Sequence, residues 1–280
     1  MLLHPPCKIN LGLRVLRKRP DGYHDLETIF LPVPFLHDDL EITPSDTSST
    51  SATSFTITGI ALDSDPADNL CLKAYRLLKA DFPDLPPVHI RLHKHIPFGA
   101  GLGGGSADAA FTLKGLNDLF SLGLTVPQLE SYAARLGADC AFFIQCRPAL
   151  AEGIGDKLTP LDNFQFSISH LLLVKPPDAV STREAYANLK IAPQPGTTSA
   201  TSPTIPTSFS SLTNDFEASV FPAHPGIAQL KADLLALGAD YASMSGSGST
   251  VYGFFPDRES LLAAADTLRR TRPDCLLFHE

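Results

Sequence analysis

An α+β protein of two domains is what this sequence predicts, and three observations carry the expectation. The chain has 280 residues, enough for two medium cores. Between residues 88 and 120 a strand pattern runs into a glycine-rich loop and then into a helix. From residue 226 onward the order is helix, strand, small-residue turn, strand and helix, an α+β pattern with antiparallel hairpin character.

The elements follow in order. Strands are expected around Lys8 to Leu16 and Leu26 to Val33, joined by RKRPDGYHD, whose Pro-Asp-Gly is a turn signal. FTITGIAL alternates from Phe55 as a further strand, and the polar SDTSSTSATS before it reads as an exposed hairpin tip. A helix follows Asn69, with Leu70, Ala74, Leu77 and Leu78 at helical spacing. VHIRLHKHI alternates from Val88 to Ile96 as a half-buried strand ended by Pro97. After the glycine loop, Ala109, Ala110, Leu113, Leu116 and Phe120 form one helical stripe, with Ser106 in the N-cap position. Thr125 and Gln128 suit a capping box for a helix from Pro127 to Leu136, closed by Gly137. AFFI then reads as a short buried strand, with Asp139 at the junction.

A strand near LLLVKPP leads to a helix around Thr182 to Leu189. From Pro193 to Leu212 the composition collapses to Ser, Thr and Pro, as in a mobile loop. Beyond it come a helix from Gly226 to Leu237, the strand DYASM, the turn SGSGS, the strand TVYGFF and a helix from Asp257 to Arg270. The domain boundary is expected between Asp156 and His170, giving domains 1–160 and 161–280.

Charge and cysteine usage exclude several functions. A formal net charge of −8 repels nucleic acid and anionic membrane, so an anionic small substrate needs a local basic patch. Five cysteines, an odd number without a CxxC pair, indicate reduced thiols instead of a disulfide framework or zinc site. With no signal-peptide pattern at the N-terminus and no apolar stretch of membrane-spanning length, a cytoplasmic protein is expected.

The loop PFGAGLGGGSADAA has five glycines in the seven positions from Gly99 to Gly105. Bare backbone lets main-chain N–H groups converge on an anion, and a helix starting behind it adds the positive end of its dipole, so a phosphate is the expected guest. No Lys-Ser or Lys-Thr pair follows, which excludes a Walker loop. Gly99, Gly101 and Gly104 match GxGxxG, but a second helix follows where a dinucleotide fold needs a strand. A protein-kinase glycine loop leads into a strand instead of a helix. A nucleotide site of another design remains.

Four segments, PCKINLGL, PFGAGLGGGSADAA, LGADCAFF and SMSGSGSTVYGFF, together resemble the GHMP kinase superfamily of small-molecule kinases, in the right order along almost the whole chain. The resemblance implies a ribosomal-protein-S5-like N-terminal domain and a ferredoxin-like C-terminal domain, with ATP in the cleft between them. PDGYHDL after the first strand resembles the member that acts on a cytidine substrate. It implies transfer of the ATP γ-phosphoryl group, with Mg²⁺ accompanying the nucleotide, to the 2-hydroxyl of 4-diphosphocytidyl-2-C-methyl-D-erythritol, a step of the non-mevalonate route to isoprenoids.

On this resemblance Pro97, Phe98, Gly99, Ala100, Gly101, Leu102, Gly103, Gly104, Gly105, Ser106 and Ala107 form the phosphate loop. Asp139 matches the catalytic base and Lys8 the lysine that orients it and stabilises the forming alkoxide. Asn10 looks like a substrate or phosphate contact. Tyr23 and His24 resemble the pair that receives the cytosine, one by stacking and one by hydrogen bonding. Tyr186 is placed like the aromatic closing the other face of the base, and Thr182 like a neighbouring contact. Asn69 is similar to a residue near the adenine, although Asp68 and Asn69 equally suit a plain helix N-cap. Gly246 and Ser247, within SGSGS, resemble the glycine loop over the acceptor. No metal ligand is assigned. Ala141 stands where the group commonly has proline, IQCRPALAEGIG lacks the usual glycine pair, and the Ser/Thr/Pro stretch is long.

Two other readings share the pattern. A kinase of this superfamily acting on homoserine or mevalonate would have no use for PDGYH and Tyr186, and an ATP sensor without chemistry would need no base beside Lys8.

Overall fold

The computed structural model describes residues 1–45, 52–60, 68–162, 164, 170–187, 189, 209 and 212–280. The chain divides into two compact units. The first holds Met1–Lys8, Pro32–Phe98 and Gly103–Ala149, and the second holds Ile9–Leu31, Gly99–Leu102 and Leu150–Glu280. The strands are β1 (Leu2–Leu3), β2 (Pro6–Lys18), β3 (His24–His37), β4 (Asp39–Pro44), β5 (Ser54–Gly59) and β6 (Val88–Lys94), with helix α1 (Leu70–Asp81) before β6. Then come α2 (Gly104–Leu119), α3 (Val126–Ala134), α4 (Phe142–Gln145), β7 (Ala149–Gly153), β8 (Lys157–Pro160), β9 (Leu171–Lys175) and α5 (Thr182–Ala187). The chain continues through α6 (Glu217–Val220), α7 (Pro225–Ala236), β10 (Tyr241–Met244), β11 (Val251–Phe254), α8 (Arg258–Thr271) and β12 (Leu276–Phe278).

The first unit is a sheet of order β1-β4-β6-β5 covered by helices. The alternation of VHIRLHK is realised in β6, where Val88, Ile90, Leu92 and Lys94 point inward and the residues between them outward. β4 pairs antiparallel to β6, with Ile42 opposite Ile90, while β5 pairs parallel to it. Because β6 lies between β4 and β5, the segment joining them is a crossover and not the expected hairpin tip; residues 46–51 of it lie outside the described residues. Helix α2 packs on α1, α3, α4 and β4 through Ala109, Leu113 and Leu116.

AFFI is helical, not a strand: Phe142–Gln145 form α4, with Phe142 and Phe143 buried. A four-residue apolar run has no period to choose by, and here it caps the packing of α2 and α3. At α3 the Gln128 side chain accepts from the Thr125 N–H at 2.9 Å, the return half of the expected box.

The second unit contains the sheet β10-β11-β9-β12, antiparallel throughout. Strand, helices, two strands, helix and strand along the chain, with the strands in that sheet order, make the ferredoxin-like arrangement. Its last strand, β12, is only half-buried and lacked a sequence signal. Helix α7 packs on β10 and β11 and α8 on β9, around Leu172, Val174, Ile227, Leu230, Leu234, Leu261 and Leu268. A third sheet, β2-β3-β7-β8, starts from β2 and β3, whose turn is closed by Arg19 N–H donating to Tyr23 O at 2.8 Å. The Ser/Thr/Pro loop expected over 193–212 lies outside the described residues apart from Phe209 and Leu212. No helix among the described residues is long and apolar enough to cross a membrane.

Candidate functional site

In the first unit the glycine loop meets α2. The helix starts on Gly104, and its N-cap is Gly103 at φ 71°, so Ser106 is its third residue and not the expected cap. Only glycine adopts that left-handed geometry without strain, which moves the helix start forward. The Ala107 N–H donates back to Gly103 O at 2.9 Å. The preceding amides of Gly104, Gly105 and Ser106 therefore stand at the N-terminus without an intrahelical carbonyl, the arrangement that binds anions. A Cβ on Gly103 would lie 3.1 Å from the Phe143 ring and 3.2 Å from Lys8 Cε, so Lys8 lies against the loop.

Lys8 Nζ is 3.5 Å from Asp139 Oδ2; the lysine side chain is 4% exposed and the carboxylate 33%. A buried ammonium is thus held beside a carboxylate that still reaches solvent. Asp139 precedes α4, and the next residue, Cys140, sits beside the Ser106 hydroxyl, tying this turn to the start of α2. Burial pushes the Cys140 thiol up to about 11, so it packs as an apolar group and is no nucleophile. Pro97 is buried and Phe98 exposed at the entry to the loop. Asn69 caps α1, its side-chain oxygen accepting from Cys71 N at 2.8 Å.

Behind the loop lies a network that the sequence did not reveal. Lys94, 4% exposed, donates to Asp38 and, at 2.7 Å, to Asp108 on α2. Asp38 Oδ1 accepts from the backbone of His95 at 2.6 Å and of Ile96 at 2.8 Å, the two residues before Pro97. Asp108 Oδ1 has no hydrogen-bond partner among the described residues. Burial raises the Asp108 carboxyl above the usual carboxylate range against the pull of Lys94. Alternation marked Lys94 as inward-facing, but the partners are 56 and 14 residues away, beyond any local pattern.

In the second unit Gly99, Ala100, Gly101 and Leu102 join the β10–β11 turn. Ser245 Oγ donates to Gly101 O at 2.9 Å, and Thr250 N–H to Ala100 O at 3.2 Å. A Cβ on Gly101 would fall 2.0 Å from Ser245 O, so no side chain fits there. Asn10 is buried on β2: its side-chain amide N–H donates to Thr28 Oγ1 at 3.1 Å, and its backbone carbonyl accepts from Tyr252 OH at 2.8 Å. A Cβ on Gly246 would approach Asn10 Oδ1 at 3.2 Å. Thr182 Oγ1 and Ser247 Oγ are 3.3 Å apart. Asn214, which the sequence reading passed over, fastens this turn by donating to Met244 O at 2.7 Å and Gly246 O at 2.8 Å. Such amide bridges have no sequence signature.

The same unit stacks His24 on Tyr186, with centroids 4.5 Å apart and planes at 17°, and Phe216 meets the Tyr186 ring edge-on. Burial first and the Lys18 charge second hold the His24 imidazole below its usual range, favouring the neutral ring. Tyr23 projects outward, 62% exposed.

A glycine loop on a helix N-terminus, a lysine–carboxylate pair and a ferredoxin-like unit define a small-molecule kinase of GHMP type. The family descriptions "GHMP kinases N terminal domain" and "GHMP kinases C terminal" match residues 69–147 and 207–274. The chain is 49% identical over 264 residues to a 4-diphosphocytidyl-2-C-methyl-D-erythritol kinase of Bacteroides fragilis, covering 93% of this chain and 94% of that one. It is 50% identical, with the same coverage, to one of Bacteroides thetaiotaomicron. A crystal structure of 4-(cytidine 5'-diphospho)-2C-methyl-D-erythritol kinase superposes with a TM-score of 0.79 at 30% identity, covering 99% of this chain and 98% of that one. The chain belongs to the GHMP kinases and, within them, to the 4-diphosphocytidyl-2-C-methyl-D-erythritol kinase family.

Proposed function

We propose that the chain transfers the γ-phosphoryl group of ATP to the 2-hydroxyl of 4-diphosphocytidyl-2-C-methyl-D-erythritol. The observation that carries this reading is the Lys8–Asp139 pair beside the glycine-capped start of α2, in a chain about half identical to kinases of that name. The organisation is read as an N-terminal kinase domain over 1–160 and a C-terminal one over 161–280, supported by family matches on either side of that boundary.

Phosphoryl transfer is mostly a matter of positioning and charge neutralisation. The amides of Gly104, Gly105 and Ser106, with the rest of Pro97 to Ala107, receive the ATP phosphates. Asp139 takes the proton from the acceptor hydroxyl as its oxygen bonds to the γ-phosphorus, and the bond from that phosphorus to the β-phosphate oxygen breaks to release ADP. Lys8 orients the carboxylate and offsets charge on the attacking oxygen. Mg²⁺ supplies neutralisation of the phosphate oxygens. Asp108 is 2% exposed and engaged by Lys94, so it is not assigned as a ligand of the ion. Asn69 is read as an adenine neighbour in addition to its cap. The site works in the cytoplasm, where ATP and reduced thiols coexist.

Tyr23 and His24 take the cytosine, Tyr186 closes its other face, and Asn10, Thr182, Gly246 and Ser247 contact the rest of the substrate. Because His24 stacks directly on Tyr186 here, its ring turns off that face to hydrogen-bond the edge of the incoming base. The test is ADP release with ATP, Mg²⁺ and each of three acceptors. Turnover is expected with 4-diphosphocytidyl-2-C-methyl-D-erythritol alone, one phosphate being added by mass. Turnover with homoserine or mevalonate instead would discard the cytosine assignment.

The His24 environment adds a pH dependence. Its depressed pKa keeps the ring neutral down to and below the ordinary imidazole value of about 6.5. KM for the cytidine substrate is therefore expected to stay flat from pH 8 to 6.5 and to rise on further acidification, as a proton occupies the accepting nitrogen. In His24→Ala, KM is expected to be higher throughout and that rise to vanish; a rise that persisted would assign it to another group.

A further inference from the structure

Asp38, at the β3–β4 junction, and Lys94, at the end of β6, are buried, and the residues on either side of each are more exposed. His37 and Asp39 flank Asp38, and His93 and His95 flank Lys94, with Asp39 directly opposite His93 in the β4–β6 register. His4, just after β1, joins them. His4 Nδ1 lies 2.9 Å from Asp39 Oδ1, and His37 Nδ1 lies 3.7 Å from the same oxygen. The ligand atoms of His4, His37 and Asp39 all fall within 4.8 Å of one another. His95 Nε2 is 3.1 Å from the other Asp39 oxygen, and the His93 ring packs on His95 at 4.6 Å.

From this cluster we propose a binding site for a divalent transition metal, with Zn²⁺ as the occupant, on the outer face of the first unit. Two imidazoles and one carboxylate are a borderline donor set that suits zinc and gives Mg²⁺ or Ca²⁺, which take oxygen ligands, too little. Tetrahedral bonds of about 2.0–2.1 Å place ligand atoms about 3.3 Å apart. The two distances to Asp39 Oδ1, 2.9 and 3.7 Å, bracket that spacing. His37 Nδ1 is buried without a hydrogen-bond partner among the described residues, a state that metal coordination resolves. His95 then holds the second carboxylate oxygen and orients the ligand, as outer-sphere partners of metal ligands do. The fourth position is left to water.

The ligands come from three places in the chain: the segment after β1, the end of β3 and the start of β4. A bound ion therefore pins the N-terminal segment to the end of β3 and the start of β4, on either side of the buried Asp38. This site is separate from the Mg²⁺ of the phosphoryl donor and does not depend on the kinase reading.

The test is isothermal titration of Zn²⁺ into the tag-free, chelator-treated full chain, alongside thermal unfolding with and without the ion. One Zn²⁺ per chain is expected to bind saturably and raise the unfolding midpoint, with excess Mg²⁺ failing to compete. His4→Ala and His37→Ala are each expected to weaken binding at least about tenfold. His89→Ala, on the same sheet but outside the cluster, should leave it unchanged. No saturable binding, an unchanged affinity in the His4→Ala/His37→Ala double variant, or an equal loss in His89→Ala would overturn the site.

Discussion

Asp139→Asn is expected to lower kcat by roughly 10²–10⁴, about 2.7–5.5 kcal/mol of transition-state stabilisation, with KM for ATP within about twofold of the parent. Asparagine keeps the shape and can still face Lys8, but it cannot take a proton. The size of the effect decides between two roles, because a loose transition state asks little of a base until the acceptor oxygen is well bonded to phosphorus. A loss below tenfold would make Asp139 a positioning group, and the proton would leave by another route. Lys8→Met provides the companion measurement. If the pair acts as a unit, the double variant loses no more than the worse single change. Unfolding midpoints must accompany both, since Lys8 is 4% exposed and its charge would lose a partner in Asp139→Asn.

What could be read from sequence follows a physical rule. Elements with a sustained period or a strong local signal were legible. β6 shows its alternation over seven residues, α8 its extent to within a residue of Asp257 to Arg270, and the β2–β3 turn its Pro-Asp-Gly. Short or two-sided pieces were not: AFFI is buried whichever way it folds, and β12 is a three-residue edge strand. The Ser106 cap failed because side-chain capping was assumed where a left-handed glycine does the work. Within the site, the glycine loop, Lys8 and Asp139 announced themselves through motifs in register. Asp38, Asn214 and the outward histidines did not, because each acquires meaning only from residues brought to it by the sheet, as Asp39 meets His93 across 54 positions.

Lys94→Met is expected to destabilise the first unit by about 3–5 kcal/mol, the cost of removing one partner from a buried ionic network. The change leaves Asp38 and Asp108, 0% and 2% exposed, without their shared cation. Asp38 keeps two backbone donors; Asp108 keeps none from Lys94. Uncompensated buried carboxylates escape their charge by taking up protons, at about 1.4 kcal/mol per pH unit above the group's ordinary pKa. The destabilisation should accordingly grow from pH 6 to pH 8, measured as the shift in denaturation free energy. Asp108→Asn works in the opposite sense. The folded Asp108 carboxyl binds its proton more tightly than the unfolded one, so its contribution is full below the ordinary value near 4 and is lost as pH rises through the raised one. Asparagine removes that slope, retains a carbonyl for Lys94, and should be tolerated near neutrality. Combined with Lys94→Met, it should recover part of the loss at pH 8. If the double variant is as unstable as Lys94→Met at every pH, the lysine matters for its packing and not for the charges it holds together beneath the phosphate loop.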